Sequence, residues 1–402
     1  MTYIHDSERQ GGRVYARDPA SMSFMGSARL GGLSWGLVAL LTVTALIGTA
    51  MLYSTTQAGT GADADLWLRH LTRFGAGLVG MLVLALVPLP IWFRLSYVAY
   101  IAALVLLFAV EIAGSVRGGA QRWLEIGPIS LQPSEPMKVA LTLALARYYH
   151  TALGTVPADA IRHHFIAALI IAAPAALIFM QPDFGTTLAL IASGGVIVFL
   201  SGLRKEIIGA FALLGIVSVP LIYSFVLADY QRERVDTFIT QLSGGDESQA
   251  LGEGYQIEQA RIAIGSGGLT GKGYLQGTQT KLEYIPEQST DFILTVIAEE
   301  LGFIGAASLM MIWGAILVWC LMIAGRCTER FGRYATAGVA ATLGFYIVFN
   351  VGMVIGLLPV VGVPMPLVSY GGTAMLTIMV GFGLVLSADL HKDARMPEGG
   401  IL

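Results

Sequence analysis

Long apolar runs, bounded by charge, Gly or Pro, constrain this chain more than any other feature. A bilayer core of ~30 Å is crossed by roughly 20 helical residues, and in hydrocarbon the backbone must satisfy its own hydrogen bonds. Ten runs approach that length: Trp35–Tyr53, Phe74–Phe93, Leu95–Ala113, Glu135–Tyr149, Phe165–Met180, Thr186–Leu203, Ile207–Ala228, Asp291–Ala324, Tyr334–Leu358 and Pro366–Ala388. They predict an all-α integral membrane protein of about ten transmembrane helices. Composition agrees, since 55% of the 402 residues are hydrophobic and only 13% charged, outside soluble usage. A net charge of -3, with no basic run interleaved with aromatics, argues against a nucleic-acid partner.

With the N-terminus inside, 14 of the 24 Lys and Arg residues fall in inner segments, among them Arg9, Arg94, Arg204, Arg330 and Lys392. Positive charge is retained on the cytoplasmic side, so both termini are expected there. The predicted division is a polar tail over 1–34 without a cleavable leader pattern, a polytopic membrane domain over 35–388, and a C-terminal tail over 389–402. The longest loop, 229–290 between the seventh and eighth spans, is expected outside. It is too small and Gly-rich to bury a core of its own. Within it, Ile257, Ala260 and Ile264 recur at helical spacing and predict a short interfacial helix. Cys320 and Cys327 read as free thiols.

Ionisable groups in or at the mouth of membrane helices are costly and so mark function. Four such clusters gather on the outer half. The first is Arg122-Trp123-Leu124, followed by Gln132-Pro133-Ser134-Glu135-Pro136-Met137-Lys138. Ser134 and Glu135 suit a helix start, but capping leaves Lys138, one turn further in, unexplained. In the second, Gln181-Pro182-Asp183, the aspartate would both cap the sixth span and present a carboxylate to a cavity. The third runs Glu287-Gln288-Ser289-Thr290-Asp291-Phe292, where Asp291 is placed to accept a proton from a hydroxyl delivered from outside. A plain cap by Thr290 or Asp291 is the alternative. Glu299 lies about 80° round the helix from Asp291 and Glu300 nearly opposite, so at most one shares its face. The fourth joins Asn350 to the Pro- and Gly-rich stretch ending in Ser369-Tyr370-Gly371-Gly372. Broken backbone at membrane depth is tolerated when it is buried or lines a cavity, and a simple turn is the alternative.

Other motifs fail on their chemistry. In Gly265-Ser266-Gly267-Gly268-Leu269-Thr270-Gly271-Lys272-Gly273 the first Gly of a phosphate loop falls on Ser266 and its Ser/Thr on Gly273. His163 and His164 have no partners at zinc-ligand spacing, and no Gly-x-Ser-x-Gly nucleophile elbow follows a strand.

The stretches Gln121-Arg122-Trp123-Leu124, Gln132-Pro133-Ser134-Glu135 with Lys138, Gln181-Pro182-Asp183-Phe184-Gly185-Thr186, Pro286-Glu287 with Thr290-Asp291-Phe292, and Ser369-Tyr370-Gly371-Gly372 resemble, in order and over nearly the whole chain, the SEDS family of RodA, FtsW and SpoVE. Tyr230–Val235 and Gly271–Gln279 are similar to the family's elongation branch rather than its division branch. The resemblance implies the ten-helix SEDS fold in the bacterial cytoplasmic (inner) membrane. It also implies a peptidoglycan glycosyltransferase that polymerises lipid II for cell elongation and rod shape. The implied partners are a class B penicillin-binding transpeptidase and the elongation machinery. Asp291 is then the catalytic candidate, with Lys138, Arg122, Glu135, Asp183, Glu287, Thr290, Ser369 and Tyr370 binding substrate. Ser289 stands where many relatives carry His, which leaves the carboxylate as the base.

The expected reaction is an inverting transfer in which Asp291 deprotonates the acceptor hydroxyl and undecaprenyl pyrophosphate leaves, its charge met by Lys138 and Arg122. A divalent cation, Mg or Mn, is the one cofactor this chemistry suggests; no organic cofactor is expected. Two other functions stay open at this point. A lipid II flippase would need polar groups along both halves of a path, and a non-catalytic scaffold for the transpeptidase would tolerate loss of Asp291.

Overall fold

The computed structural model describes residues 30–57, 65–117, 120–127, 129–152, 161–203, 253–282 and 284–396, with isolated positions between 206 and 240. Apart from those positions, the expected seventh span, the segment Tyr230–Val235, the first part of the long loop and most of the N-terminal tail lie outside the described residues. The helices are α1 (Trp35–Thr56), α2 (Leu66–Ala85), α3 (Leu89–Ala113), α4 (Ser134–Ala152), α5 (Ile161–Met180), α6 (Phe184–Leu200), α7 (Glu253–Gly267), α8 (Ile293–Arg326), α9 (Arg330–Val354) and α10 (Gly372–Leu390). Seven of them, α1, α2, α3, α5, α8, α9 and α10, are long and apolar enough to cross a membrane, and α6 is apolar but shorter. The chain is an all-α, multi-pass membrane protein. The short helix expected around Ile257, Ala260 and Ile264 is α7, which packs on α8 with Ile257 and Ala260 buried.

The boundaries of the second and third spans differ most from the sequence reading, and α10 starts at Gly372 rather than Pro366. The run Phe74–Phe93 straddles a turn: α2 ends at Ala85, and α3 begins at Leu89 with Pro90 in its first turn, where the missing N–H would be unsatisfied anyway. The polar residues Arg69, His70 and Arg73 lie inside α2 and had pushed the predicted start to Phe74. The low apolarity of α4 has a different cause. It is enclosed by α3, α5, α6, α9 and α10, so its sides meet protein rather than lipid, and Glu135, Lys138 and Arg147 are all buried. α2 and α10 pack closely along each other, with Gly77 against Met379, Gly383 against Leu84, and the Ser387 hydroxyl donating to the Val87 carbonyl at 2.6 Å.

Between α3 and α4 the chain forms a small antiparallel sheet, β1 (Ser115–Arg117), β2 (Ala120–Ile126) and β3 (Ile129–Leu131), in the order β1-β2-β3. Ser115 pairs with Trp123 and Leu124 with Leu131. Alternation along β2 buries Ala120 and Leu124 and exposes Glu125, as a half-covered strand requires.

The longest helix, α8, is broken at Gly302, whose φ is 68° and ψ -167°. A break at membrane depth frees carbonyls before it and N–H groups after it. The segment after α7 supplies all four partners. The N–H groups of Lys272 and Gly273 donate to the carbonyls of Glu299 and Glu300 at 3.0 Å each, and those of Phe303 and Ile304 donate to Gly268 and Leu269 at 2.9 and 3.1 Å. The Gly-rich stretch that failed as a phosphate loop is therefore a splice. Gly302 and Gly271 meet so closely that a Cβ on Gly302 would lie 2.3 Å from the Gly271 nitrogen. Glu299 and Glu300 both turn toward this loop. The Glu299 carboxylate accepts from Lys272 Nζ (2.7 Å) and from the N–H groups of Thr278, Gln279 and Thr280 (2.8, 2.9 and 3.2 Å), while Glu300 accepts from the Ser54 hydroxyl (2.5 Å) and the Leu275 N–H (3.1 Å).

Gly302→Ala should therefore destabilise the protein by roughly 1–3 kcal/mol or more from backbone strain alone. Gly314, in the same helix with nothing within 4 Å of an added Cβ, should tolerate Ala with a change of about 0.5 kcal/mol or less. Thermal unfolding in detergent checks the pair; equal melting temperatures would contradict the splice.

Candidate active site

Asp291 sits in the turn that leads into α8. That turn is closed by the N–H groups of Thr290 and Phe292 on the Glu287 carbonyl (3.2 and 3.1 Å). Phe292 occupies the cap position, and its side chain makes no capping bond. Thr290 instead donates its hydroxyl to the Glu287 carboxylate at 2.7 Å. Nor does Ser134 cap α4, since its buried hydroxyl has no partner. Asp183 does cap α6, accepting from the Thr186 N–H at 3.2 Å on one oxygen and from Gln132 Nε2 at 3.1 Å on the other.

What fixes Asp291 is the broken stretch between α9 and α10. Asn350, buried in α9, donates from one Nδ2 to the carbonyls of Asp291 and Val363, 2.8 Å each. The Ser369 hydroxyl donates to the Thr290 carbonyl and accepts from the Met365 N–H. The Tyr370 N–H donates to the Ser289 carbonyl at 2.9 Å. Gly362 adopts φ 73°, and a Cβ built there would stand 3.6 Å from Asp291 Oδ2, so the carboxylate lies over a residue without a side chain. The stretch is held from its other side by α1, where Gly48 touches the backbone of Val368.

These elements surround a cavity of about 730 Å³. Arg122, Glu135, Asp183, Thr290, Asp291 and Tyr370 line it, as the sequence suggested, together with Arg73, Thr186 and Tyr346. Arg122 is held from behind by the carbonyls of Gln181 and Pro182. The Arg73 guanidinium lies over the Tyr370 ring, 4.9 Å from its centroid. Lys138 is fully buried behind Glu135, 2.7 Å from its carboxylate, and also donates to the Tyr346 hydroxyl. Ser369 is buried beneath Thr290, and Glu287 is exposed beyond it. Glu299 and Glu300 do not line this cavity. Among the described residues no three His, Cys, Asp or Glu side chains gather into a metal-binding group.

Arg73 and Tyr346 escaped the sequence reading. Arg73 carried a signal, a cation one turn after His70 in an otherwise apolar stretch. Tyr346 carried none, because its role depends on α9 crossing α4.

The sequence matches the model of the FtsW, RodA and SpoVE family, described as cell cycle protein, over residues 32–394. It is 40% identical over 356 residues to the peptidoglycan glycosyltransferase MrdB of Escherichia coli, covering 89% of this chain and 92% of that protein. The structure is similar to a chain of a peptidoglycan synthase complex described for its coordination of polymerization and crosslinking, with a TM-score of 0.75, 30% identity, and coverage of 90% of this chain and 98% of that one. It is also similar to the rod shape determining protein RodA of Thermus thermophilus, with a TM-score of 0.65, 29% identity, and coverage of 89% and 96%.

The Lys138–Glu135 pair yields a stability prediction. Removing one partner strands the other charge, so Lys138→Met or Glu135→Leu alone should each cost roughly 3–5 kcal/mol, whereas the double substitution should recover most of it. Denaturant unfolding of the three variants measures this, and single variants as stable as the parent would contradict it.

Proposed function

The chain belongs to the FtsW/RodA/SpoVE family, and we propose that its cavity joins lipid II units into glycan strands during cell elongation. It is a peptidoglycan glycosyltransferase. The observation that carries the mechanism is a carboxylate in a polar cavity, with the backbone of residues 289–291 tied down by Tyr370, Ser369 and Asn350.

Asp291 removes the proton from the 4-hydroxyl of the acceptor's GlcNAc as that oxygen attacks the anomeric carbon of the donor's MurNAc. The bond from that carbon to the diphosphate breaks, and its electron pair leaves on undecaprenyl pyrophosphate. A single displacement turns the lipid-linked α configuration into a β-1,4 bond. The leaving group is a stable anion that needs fixed positive charge rather than a proton, and the arginines that line the cavity, Arg73 and Arg122, are its sources of fixed positive charge for lipid-linked diphosphates. Lys138 acts indirectly. It neutralises Glu135 and orients Tyr346, both of which face substrate. Asp183 and Thr186 stand where a sugar or phosphate would be bound, and Thr290 steadies the turn with Glu287.

A divalent ion, Mg or Mn, would be held by a cavity carboxylate such as Asp183 and would supply charge neutralisation for the diphosphate. Ions of that kind are held by one or two carboxylates plus phosphate oxygens rather than by a protein cage. The Lys and Arg distribution supports cytoplasmic termini and a cavity mouth facing outward, and membership of the family supports an inner-membrane location. The likeness to a synthase complex supports a class B penicillin-binding transpeptidase as partner and, with the likeness to RodA, the elongation machinery as its setting.

Labelled lipid II incubated with the purified protein and its transpeptidase partner, the latter's own active site blocked, should give a glycan ladder on a gel. Asp291→Ala should reduce product by at least about 10²–10⁴-fold, the usual contribution of a general base. An Asp291→Ala ladder of parental intensity would remove Asp291 from the mechanism.

A further inference from the structure

Each half-buried or buried cation among the described membrane and loop helices has a fixed acceptor, with one exception. Lys138 has Glu135, Lys272 has Glu299, Arg122 has the Gln181 and Pro182 carbonyls, and Arg147 has those of Phe93 and Arg94. Arg73, two turns into α2, has only the Tyr370 ring beneath its guanidinium. Its other flank rests on Gly372, where an added Cβ would come within 3.0 Å of Cζ. A guanidinium stacked on an aromatic face keeps its N–H groups directed outward in the ring plane, and these belong to a side chain that lines the cavity. A cation kept at this depth without a protein acceptor calls for an anion from outside. Beside it, residues Gly371 to Ala374 line the same cavity at the start of α10, whose cap residue provides no side-chain acceptor for the first N–H groups.

We propose that Arg73, on its Tyr370 platform, binds the diphosphate of the glycosyl donor. This rests on the glycosyl-transfer reading above and assigns one of the two lipid-linked diphosphates that such a reaction must hold. In the donor the diphosphate is bonded to the carbon under attack. In the acceptor a whole disaccharide separates it from the reacting 4-hydroxyl. The diphosphate nearest the base is therefore the donor's. The Tyr370 platform is hydrogen-bonded through its own N–H to Ser289, two residues before Asp291. Arg122 stands on a different wall, clamped where α5 meets α6, and serves the acceptor's diphosphate. As the bond between the anomeric carbon and the diphosphate oxygen breaks, the electron pair passes to that oxygen, and the added negative charge develops beside Arg73.

The test uses the full-length protein with its transpeptidase partner and a lipid II whose GlcNAc 4-hydroxyl is blocked, which serves only as donor. Arg73→Ala should raise the KM for this donor and lower kcat, each by about tenfold or more, the loss of one charge-assisted contact. The acceptor's KM should stay near parental, while Arg122→Ala shows the opposite pattern. Arg73→Lys, which keeps the charge but not the stacking fork, should fall between, with an unchanged melting temperature. Binding of farnesyl diphosphate, measured without turnover, should weaken in Arg73→Ala and persist in Asp291→Ala. An unchanged donor KM, or equal rises for donor and acceptor, would overturn the assignment. Parental protein that binds farnesyl diphosphate through Arg73 yet couples no lipid II would instead sink the glycosyl-transfer reading.

Discussion

Hydrocarbon offers no hydrogen-bond partner to a broken backbone, and the architecture of the site follows from how this chain meets that constraint. At two breaks in the helical pattern, another segment supplies the missing donors and acceptors. The break at Gly302 is closed by residues 268–273. The long interruption between α9 and α10 is closed by Asn350, Ser369 and Tyr370, whose acceptors include the carbonyls of residues 289–291. The second closure delivers Asp291 to the cavity. The aspartate is fixed through its backbone and that of the two residues before it.

The same economy governs charge. A buried cation is tolerable when an acceptor meets it, and Lys138, Lys272, Arg122 and Arg147 each have one. Glu299 organises Lys272 and the turn Thr278–Lys281 from within the first part of α8. Because α8 also begins right after the Asp291 turn, the carboxylate hub lies on the short helical piece, Ile293 to the break at Gly302, that follows the candidate base. Among the described helices, Arg73 at the cavity wall rests on an aromatic ring instead.

Much of this was legible in the sequence because interruptions of an apolar run are visible as residues. The clusters around Arg122, Glu135, Asp183, Asp291 and Tyr370 stood out as polar groups where hydrocarbon should be, and they meet in one cavity. The spans were legible by length but not all of their ends: Arg69, His70 and Arg73 hid the start of α2, and α10 begins at Gly372 rather than Pro366. What the sequence could not convey were contacts made between distant helices. Lys138 read as a phosphate ligand because nothing in the linear order shows Tyr346, 208 positions away, closing over it. The splice at Gly302 was likewise invisible, since the glycines on its two sides lie in separate segments.

The central claim is that Asp291 meets the acceptor hydroxyl directly. The most direct measurement is a structure of the Asp291→Asn variant with its transpeptidase partner and lipid II bound in both substrate positions. In that structure the acceptor's GlcNAc 4-oxygen should lie within about 2.6–3.2 Å of the side chain at position 291, with the donor's anomeric carbon in line beyond it. Sugars bound in the cavity with no hydroxyl near that side chain, or with another carboxylate in its place, would contradict it.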